Sequence, residues 1–231
     1  MKMKNVTKSY DGKKSVIEKF SFDFSEGTIY SIFGENGSGK TTLLNILSGY
    51  LNFEEGNIEG NDDVLLITED VIPFDYITGL EFVHLTLRHK KKIVSDEVVN
   101  FYLQEFGMLE FKDDYLDSYS SGMKYKILMI LTFIIKPKVL LLDEPFSELD
   151  IITVERVNQE LQRMKESSLI IFSTHISSLA FQISDKILFL TSKKFLTFDN
   201  QFSNVEMLEQ KIQEVMTKKI QDSYEVIDNH Q

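Results

Sequence analysis

The sequence contains no cysteine, so disulfides and thiolate chemistry are excluded. Proline is scarce, three in 231 residues, which leaves few hard breaks in the chain. Long apolar runs are missing as well. The longest, Ile127–Ile135 and Val139–Leu142, fall well short of the about 20 residues that a membrane-spanning helix needs. The opening stretch MKMKNVTKSYDGKK is charged and has no apolar core, so it does not read as a secretory signal. No internal repeat or low-complexity block occurs. Positive charge is in deficit: 25 Lys and Arg face 36 Asp and Glu, for a net charge of −11. Non-specific nucleic-acid binding depends on Lys and Arg meeting phosphates, so nucleic acid is not an expected partner. The same average speaks against independent docking on an anionic membrane, although it leaves room for a local basic patch.

What remains is an ordinary globular composition, 42% hydrophobic and 26% charged, long enough for one domain with a subdomain. Phe20, Phe22 and Phe24 alternate with Ser21 and Asp23, the pattern of a half-buried strand. Asp11-Gly12 signals a turn between it and a strand ending near Tyr10. Thr28–Phe33 is β-rich and runs directly into a glycine stretch. Leu43, Leu44 and Leu47 then follow at helical spacing. Val64–Thr68, Val139–Leu142, Leu169–Phe172 and Lys186–Leu190 read as buried strands. Between residues 79 and 136 the texture is helical: 81–91, then a helix capped by Ser95 and ended near Gly107, then 122–135 stopped before Pro137. A further amphipathic helix is expected over 153–165. Lys193-Lys194 marks a terminal hairpin, and Ser203 with Glu206 has capping-box spacing for a helix to about Ile220. This order specifies an α/β fold with a mainly parallel core sheet, an N-terminal antiparallel β region and a helical subdomain. The expected division is a domain over 1–202, with the subdomain at about 79–136, and a helix and tail over 203–231.

Gly34-Glu35-Asn36-Gly37-Ser38-Gly39-Lys40-Thr41 satisfies the phosphate-loop pattern G-x-x-x-x-G-K-[ST], with Thr42 next to it. Glycines let the backbone curl around phosphate with N–H groups inward, and the following helix adds its positive end. Lys40 reaches the terminal phosphates and the Thr41 hydroxyl can ligate Mg²⁺. Val139–Leu142 followed by Asp143-Glu144 is an apolar strand ending in two carboxylates. Beside a phosphate loop, Asp143 suits a metal and Glu144 suits a general base. A nucleotide phosphate and Mg²⁺ are therefore the expected ligands; the loop alone does not name the nucleotide, and ATP is what the following resemblance implies.

With these motifs the sequence resembles the ATP-binding-cassette (ABC) ATPases over roughly its first 200 residues. Tyr119-Ser120-Ser121-Gly122-Met123 is similar to the family's signature, with Ser120, Ser121 and Gly122 as its phosphate-capping part. Ser147-Glu148-Leu149-Asp150 looks like the D-loop, His175 like the switch histidine, and Tyr10 like the aromatic that stacks on adenine. The resemblance implies two cassettes closing head to tail around two ATP, with Glu144 and His175 serving hydrolysis. It also implies a separate membrane permease subunit, a homo- or heterodimer, and a place at the cytoplasmic face of the membrane. Two departures are present. The signature reads SSGM, and Glu69 stands where the family usually has a metal-linking Gln. Glu69 can still ligate Mg²⁺. The YSSGM form and Thr78-Gly79-Leu80-Glu81-Phe82 resemble the drug- and bacteriocin-export group, so export is expected. Phe74, Tyr76 and Phe82 are candidates for permease contact or for the subdomain core. A soluble cassette of the iron–sulfur assembly type is the alternative.

Overall fold

The computed structural model describes residues 1–10, 15–60, 62–68, 74, 76–190 and 195–215. Asp11-Gly12, Glu69 and Lys193-Lys194 lie outside these residues.

The larger sheet has six strands. Its strands are β3 (Ile29–Phe33), β5 (Val64–Ile67), β6 (Val139–Leu142), β7 (Leu169–Thr174), β8 (Lys186–Leu190) and β9 (Phe195–Asp199). The spatial order is β5-β6-β7-β3-β8-β9, parallel except for the antiparallel β8–β9 pair. β1 (Lys2–Ser9), β2 (Ser15–Asp23) and β4 (Glu55–Glu59) form a separate antiparallel sheet in the order β2-β1-β4.

The reason the central strands are continuous apolar runs is that both faces are covered. On β6, Leu140 and Leu142 join the core beneath the helices, whereas Val139 and Leu141 join the core beneath the antiparallel sheet. On β7, Ile170 and Phe172 take the first side, and Leu169 and Ile171 the second. The period of two thus sends alternate residues into two cores.

Helix α1 (Lys40–Leu47) follows β3 and fills the second core with Leu43, Leu44, Ile46 and Leu47. The first core is built by α2 (Gly79–His89), α3 (Asp96–Glu105), α4 (Ser121–Ile135) and α5 (Ile151–Met164). α2 starts with a reciprocal cap: the Glu81 N–H donates to the Thr78 hydroxyl at 3.2 Å, and the Thr78 N–H donates to Glu81 Oε2 at 2.8 Å. α3 ends with Gly107 at a left-handed φ of 67°, as a helix stop requires. α4 is apolar on nearly every side because it runs through the core, and it stops at Lys136 before Pro137. After α6 (Ser177–Ile183), a helix over 205–215, α7, packs Leu208 and Ile212 against Ala180, Ile187 and Phe189.

One reading is corrected by the structure and one element is new. The α7 cap is Asn204, whose Oδ1 accepts the Met207 N–H at 3.0 Å, not Ser203. β4, the polar stretch EGNIE, was not anticipated. It forms because its backbone pairs with β1, Lys2 facing Glu59 and Lys4 facing Asn57.

Asp150 caps α5. It accepts from the Thr153 N–H at 2.9 Å, from the Thr153 hydroxyl at 2.8 Å and from Lys126 at 3.1 Å. The Thr153 bonds, with help from Lys126, hold its carboxyl down at about 2. Asp150→Ala should therefore cost about 1 kcal/mol in urea unfolding near neutral pH. A carboxylate depressed in the folded state stabilises fully above its ordinary value of about 3.9 and loses that effect as pH falls. The difference between wild type and variant should shrink as pH drops through about 2. A difference independent of pH would contradict the cap.

Candidate functional site

β6, β7 and β3 are neighbours in parallel register, Leu142 opposite Phe172 and Phe33 opposite Thr174. The residues that follow each strand therefore emerge at one edge, where open α/β sheets bind ligands. They are Asp143-Glu144, His175, and the loop beginning at Gly34. Gly34 is held closely: a Cβ there would lie 2.6 Å from Leu190 O and 2.8 Å from Ser38 Oγ. Gly39 has a φ of 103° and precedes α1, so the loop turns sharply into the helix start. The Ser38 hydroxyl is buried without a hydrogen-bond partner, an orphaned group that points to a polar ligand at this loop.

The charged residues interlock. Lys40, 6% exposed, donates to the Gly34 carbonyl at 2.9 Å and to the Glu35 carbonyl at 3.4 Å. Its ammonium also lies 3.3 Å from Glu144 Oε1. Glu144 Oε2 is 3.1 Å from His175 Nδ1, so one carboxylate bridges lysine and histidine. Thr41 Oγ1 donates to Asp143 Oδ2 at 2.7 Å. These hydroxyl and carboxylate oxygens are the hard donors that suit Mg²⁺, which usually takes one or two protein oxygens and completes its shell with water and phosphate. Among the described residues no cluster of three or more His, Cys, Asp or Glu could form a dedicated metal cage. A cavity of about 290 Å³ runs along Tyr10, Asn36, Gly37, Lys40, Thr42 and Glu144. Tyr10 is 64% exposed, its hydroxyl lies 3.1 Å from Thr42 Oγ1, and Lys8 Nζ sits over its ring at 5.7 Å from the centroid.

The signature residues do not face this loop. Ser120 caps α4 by accepting the Met123 N–H at 3.2 Å, and Ser121 donates to Glu148 at 2.8 Å. Gly122 lies so close to Glu148 that a Cβ would come 2.7 Å from its carbonyl oxygen. Signature and D-loop thus form one packed unit, held further by the Lys126–Asp150 pair at 3.1 Å.

Sequence reasoning missed Ser173. Its hydroxyl donates to Asp143 Oδ1 at 2.5 Å and accepts the Glu144 N–H at 2.8 Å. Glu144 sits at a left-handed φ of 46°, costly for a non-glycine residue and sustained by such fixed partners. The only sequence sign was the break from apolar to hydroxyl residues at Ser173-Thr174. Gly79 was quoted only as part of a motif, yet a Cβ there would fall 2.1 Å from the Tyr119 hydroxyl, which donates to Phe111 O at 2.6 Å.

The family model described as ABC transporter matches residues 17–147, more than half of the chain. The chain belongs to the ABC transporter ATPase family. A Methanocaldococcus jannaschii protein described as an uncharacterized ABC transporter ATP-binding protein is 30% identical over 198 residues, covering 84% of this chain and 75% of that one. The spermidine/putrescine import ATP-binding protein PotA of Mycoplasma mycoides is 30% identical over 202 residues; this chain spans 57% of its length and the match covers 81% of this chain. An ATP-binding subunit of an ABC transporter superposes with a TM-score of 0.77 at 21% identity, covering 86% of this chain and 89% of that chain. A dimeric ATP-binding cassette bound to ADP and Pi superposes at 0.75 with 24% identity, covering 87% and 99%. The cassette fold is that of these structures.

Ser173→Ala should lower the turnover of ATP about 10–100-fold, the loss typical when a residue orienting a site's ligands is removed. Nucleotide affinity should change far less, because the phosphate loop is untouched. Steady-state hydrolysis beside nucleotide titration separates the two; equal losses in both would contradict the role.

Proposed function

We propose that this cassette binds and hydrolyses ATP and, paired with a second cassette, energises a separate membrane permease subunit at the cytoplasmic face. The observation that carries the reading is the convergence of Lys40, Thr41, Asp143, Glu144 and His175 at one sheet edge, with Glu144 between Lys40 and His175. Lys40 exchanges its loop carbonyls for the β- and γ-phosphates. The N–H groups of the loop over 34–42 cradle those phosphates, and Tyr10 offers its ring to adenine. Thr41 and Asp143 would hold Mg²⁺, which would neutralise phosphate charge; Glu69, outside the described residues, is a third proposed ligand. Glu144 accepts the proton of the attacking water, and His175 orients that carboxylate.

The site is half of a whole. Ser120, Ser121 and Gly122 pack within their own unit together with Glu148, and Lys126 ties that unit to Asp150; they would cap the γ-phosphate of a second cassette. Ile151 and Ile152, 87% and 71% exposed, extend this face with apolar surface. The γ-phosphate then supplies charge that both faces contact, and its loss weakens the pair. Homodimer and heterodimer both satisfy this geometry.

Permease contact falls to Phe74 and Tyr76, 44% and 86% exposed. Phe82, 6% exposed, belongs to the subdomain core instead. Among the described residues no helix is long and apolar enough to cross a membrane. Export is no longer favoured. The relatives named for a transport direction include importers, PotA among them. The two stretches that resembled the export group pack on each other through Gly79 and Tyr119, so each has a structural reason internal to the subdomain.

Glu144→Gln should bind ATP yet hydrolyse it about 10²–10⁴-fold more slowly, the usual contribution of a general base. Tagged Glu144→Gln protein drawn from mildly solubilised membranes with ATP should bring down one polytopic membrane protein in near-equal amount. Wild-type turnover in the variant would remove Glu144 from the role. Recovery of soluble partners alone would remove the permease.

A further inference from the structure

Residues 88–93, Arg-His-Lys-Lys-Lys-Ile, are all exposed. Arg88 and His89 end α2 and residues 90–93 lead on towards α3, so the segment lies at the opposite end of α2 from Gly79. Leu87 and Val94 pin the segment to the core at both ends, so the protrusion is held by packing. The pin is reinforced by backbone bonds from Lys92 N–H to Leu87 O at 2.9 Å and from Lys91 N–H to Arg88 O at 3.0 Å. Lys91 occupies the left-handed helix stop at a φ of 54°, where glycine would be relaxed. A lysine there keeps a cation on the surface at the expense of backbone strain.

Three further features set the segment apart. Arg88, Lys90, Lys91 and Lys92 take part in no ion pair among the described residues, although the chain is acidic overall. The nearest carboxylate on α3, Asp96, pairs with His84 at 3.6 Å, and Glu97 is engaged by Ser95. Ile93 is fully exposed beside the lysines, and a concavity of about 440 Å³ opens between Leu87, Arg88, Lys91 and Ile93. An apolar tip beside a run of cations matches the boundary between lipid headgroups and acyl chains.

We infer that residues 88–93 dock on anionic phospholipid headgroups at a bilayer surface, with Ile93 entering the acyl boundary and the four cations meeting lipid phosphates. Each cation near such a surface contributes about fivefold in partitioning, and charges farther than about 10 Å are largely screened. The patch therefore acts before the −11 of the whole molecule is felt. This contact would hold the cassette close to the bilayer that the proposed permease occupies, and it requires no permease to be observed.

The test is flotation of the whole chain with vesicles of phosphatidylcholine alone or mixed with phosphatidylglycerol, at low and high salt. The expected result is binding to the mixed vesicles at least about tenfold above neutral ones and weakened by salt. Binding should be abolished in the Arg88→Glu, Lys91→Glu, Lys92→Glu variant and reduced in Ile93→Ser, with ATP hydrolysis by the soluble protein unchanged in both. Absent binding, equal binding to both vesicle types, or anionic binding that survives the charge reversal would overturn the inference. Those outcomes would leave the cassette reading intact, since hydrolysis and permease recovery are measured separately.

Discussion

The parallel alignment of β6, β7 and β3 is the constraint on which the rest depends. Three buried strands in register end at one edge, so residues more than 100 positions apart in sequence meet within hydrogen-bond distance. Thr41 reaches Asp143 at 2.7 Å and Lys40 reaches Glu144 at 3.3 Å because the strands before them, β3 and β6, flank β7 in parallel register. The strands hold that arrangement because each side chain is buried on one face or the other. Leu140 and Leu142 pack under the helices, and Val139 and Leu141 under the antiparallel sheet. A polar substitution on either face would disturb the site by moving a strand end.

On that frame the charges are arranged economically. Glu144 is shared between Lys40 and His175, and Asp143 between Thr41 and Ser173. The carboxylates are thus held by fixed partners, and preorganised groups need less reorganisation at the moment of reaction. Lys40 rests on the carbonyls of its own loop, and the Ser38 hydroxyl has no partner. A phosphate group entering the loop would satisfy both. Ser120 and Ser121 are exposed and are held by α4 and Glu148; in the proposed pair they would complement the site of a second cassette.

The phosphate loop and the paired carboxylates were legible in the sequence because their chemistry needs contiguous residues of fixed type. The strand–helix alternation was equally legible, since burial on two faces imposes an apolar run. β4 was not, because EGNIE has no strand pattern of its own and pairs only once β1 is beside it. Ser173 was invisible for a similar reason. A single hydroxyl in an apolar strand gains its role from Asp143 and Glu144, 30 and 29 residues away. Tyr119 and Gly79 were read as family marks, and their mutual packing emerges only in three dimensions. Asn204 against Ser203 shows the usual uncertainty of one residue at a helix start.

The central claim is that this site becomes complete only against a second cassette. The most direct measurement is sedimentation of the Glu144→Gln protein alone, with ADP, and with ATP and Mg²⁺. The account predicts monomers in the first two conditions and a dimer with ATP, lost when Ser120 is replaced by a bulky residue. A monomer in all three conditions, with ATP binding demonstrated, would contradict it, as would a dimer indifferent to nucleotide.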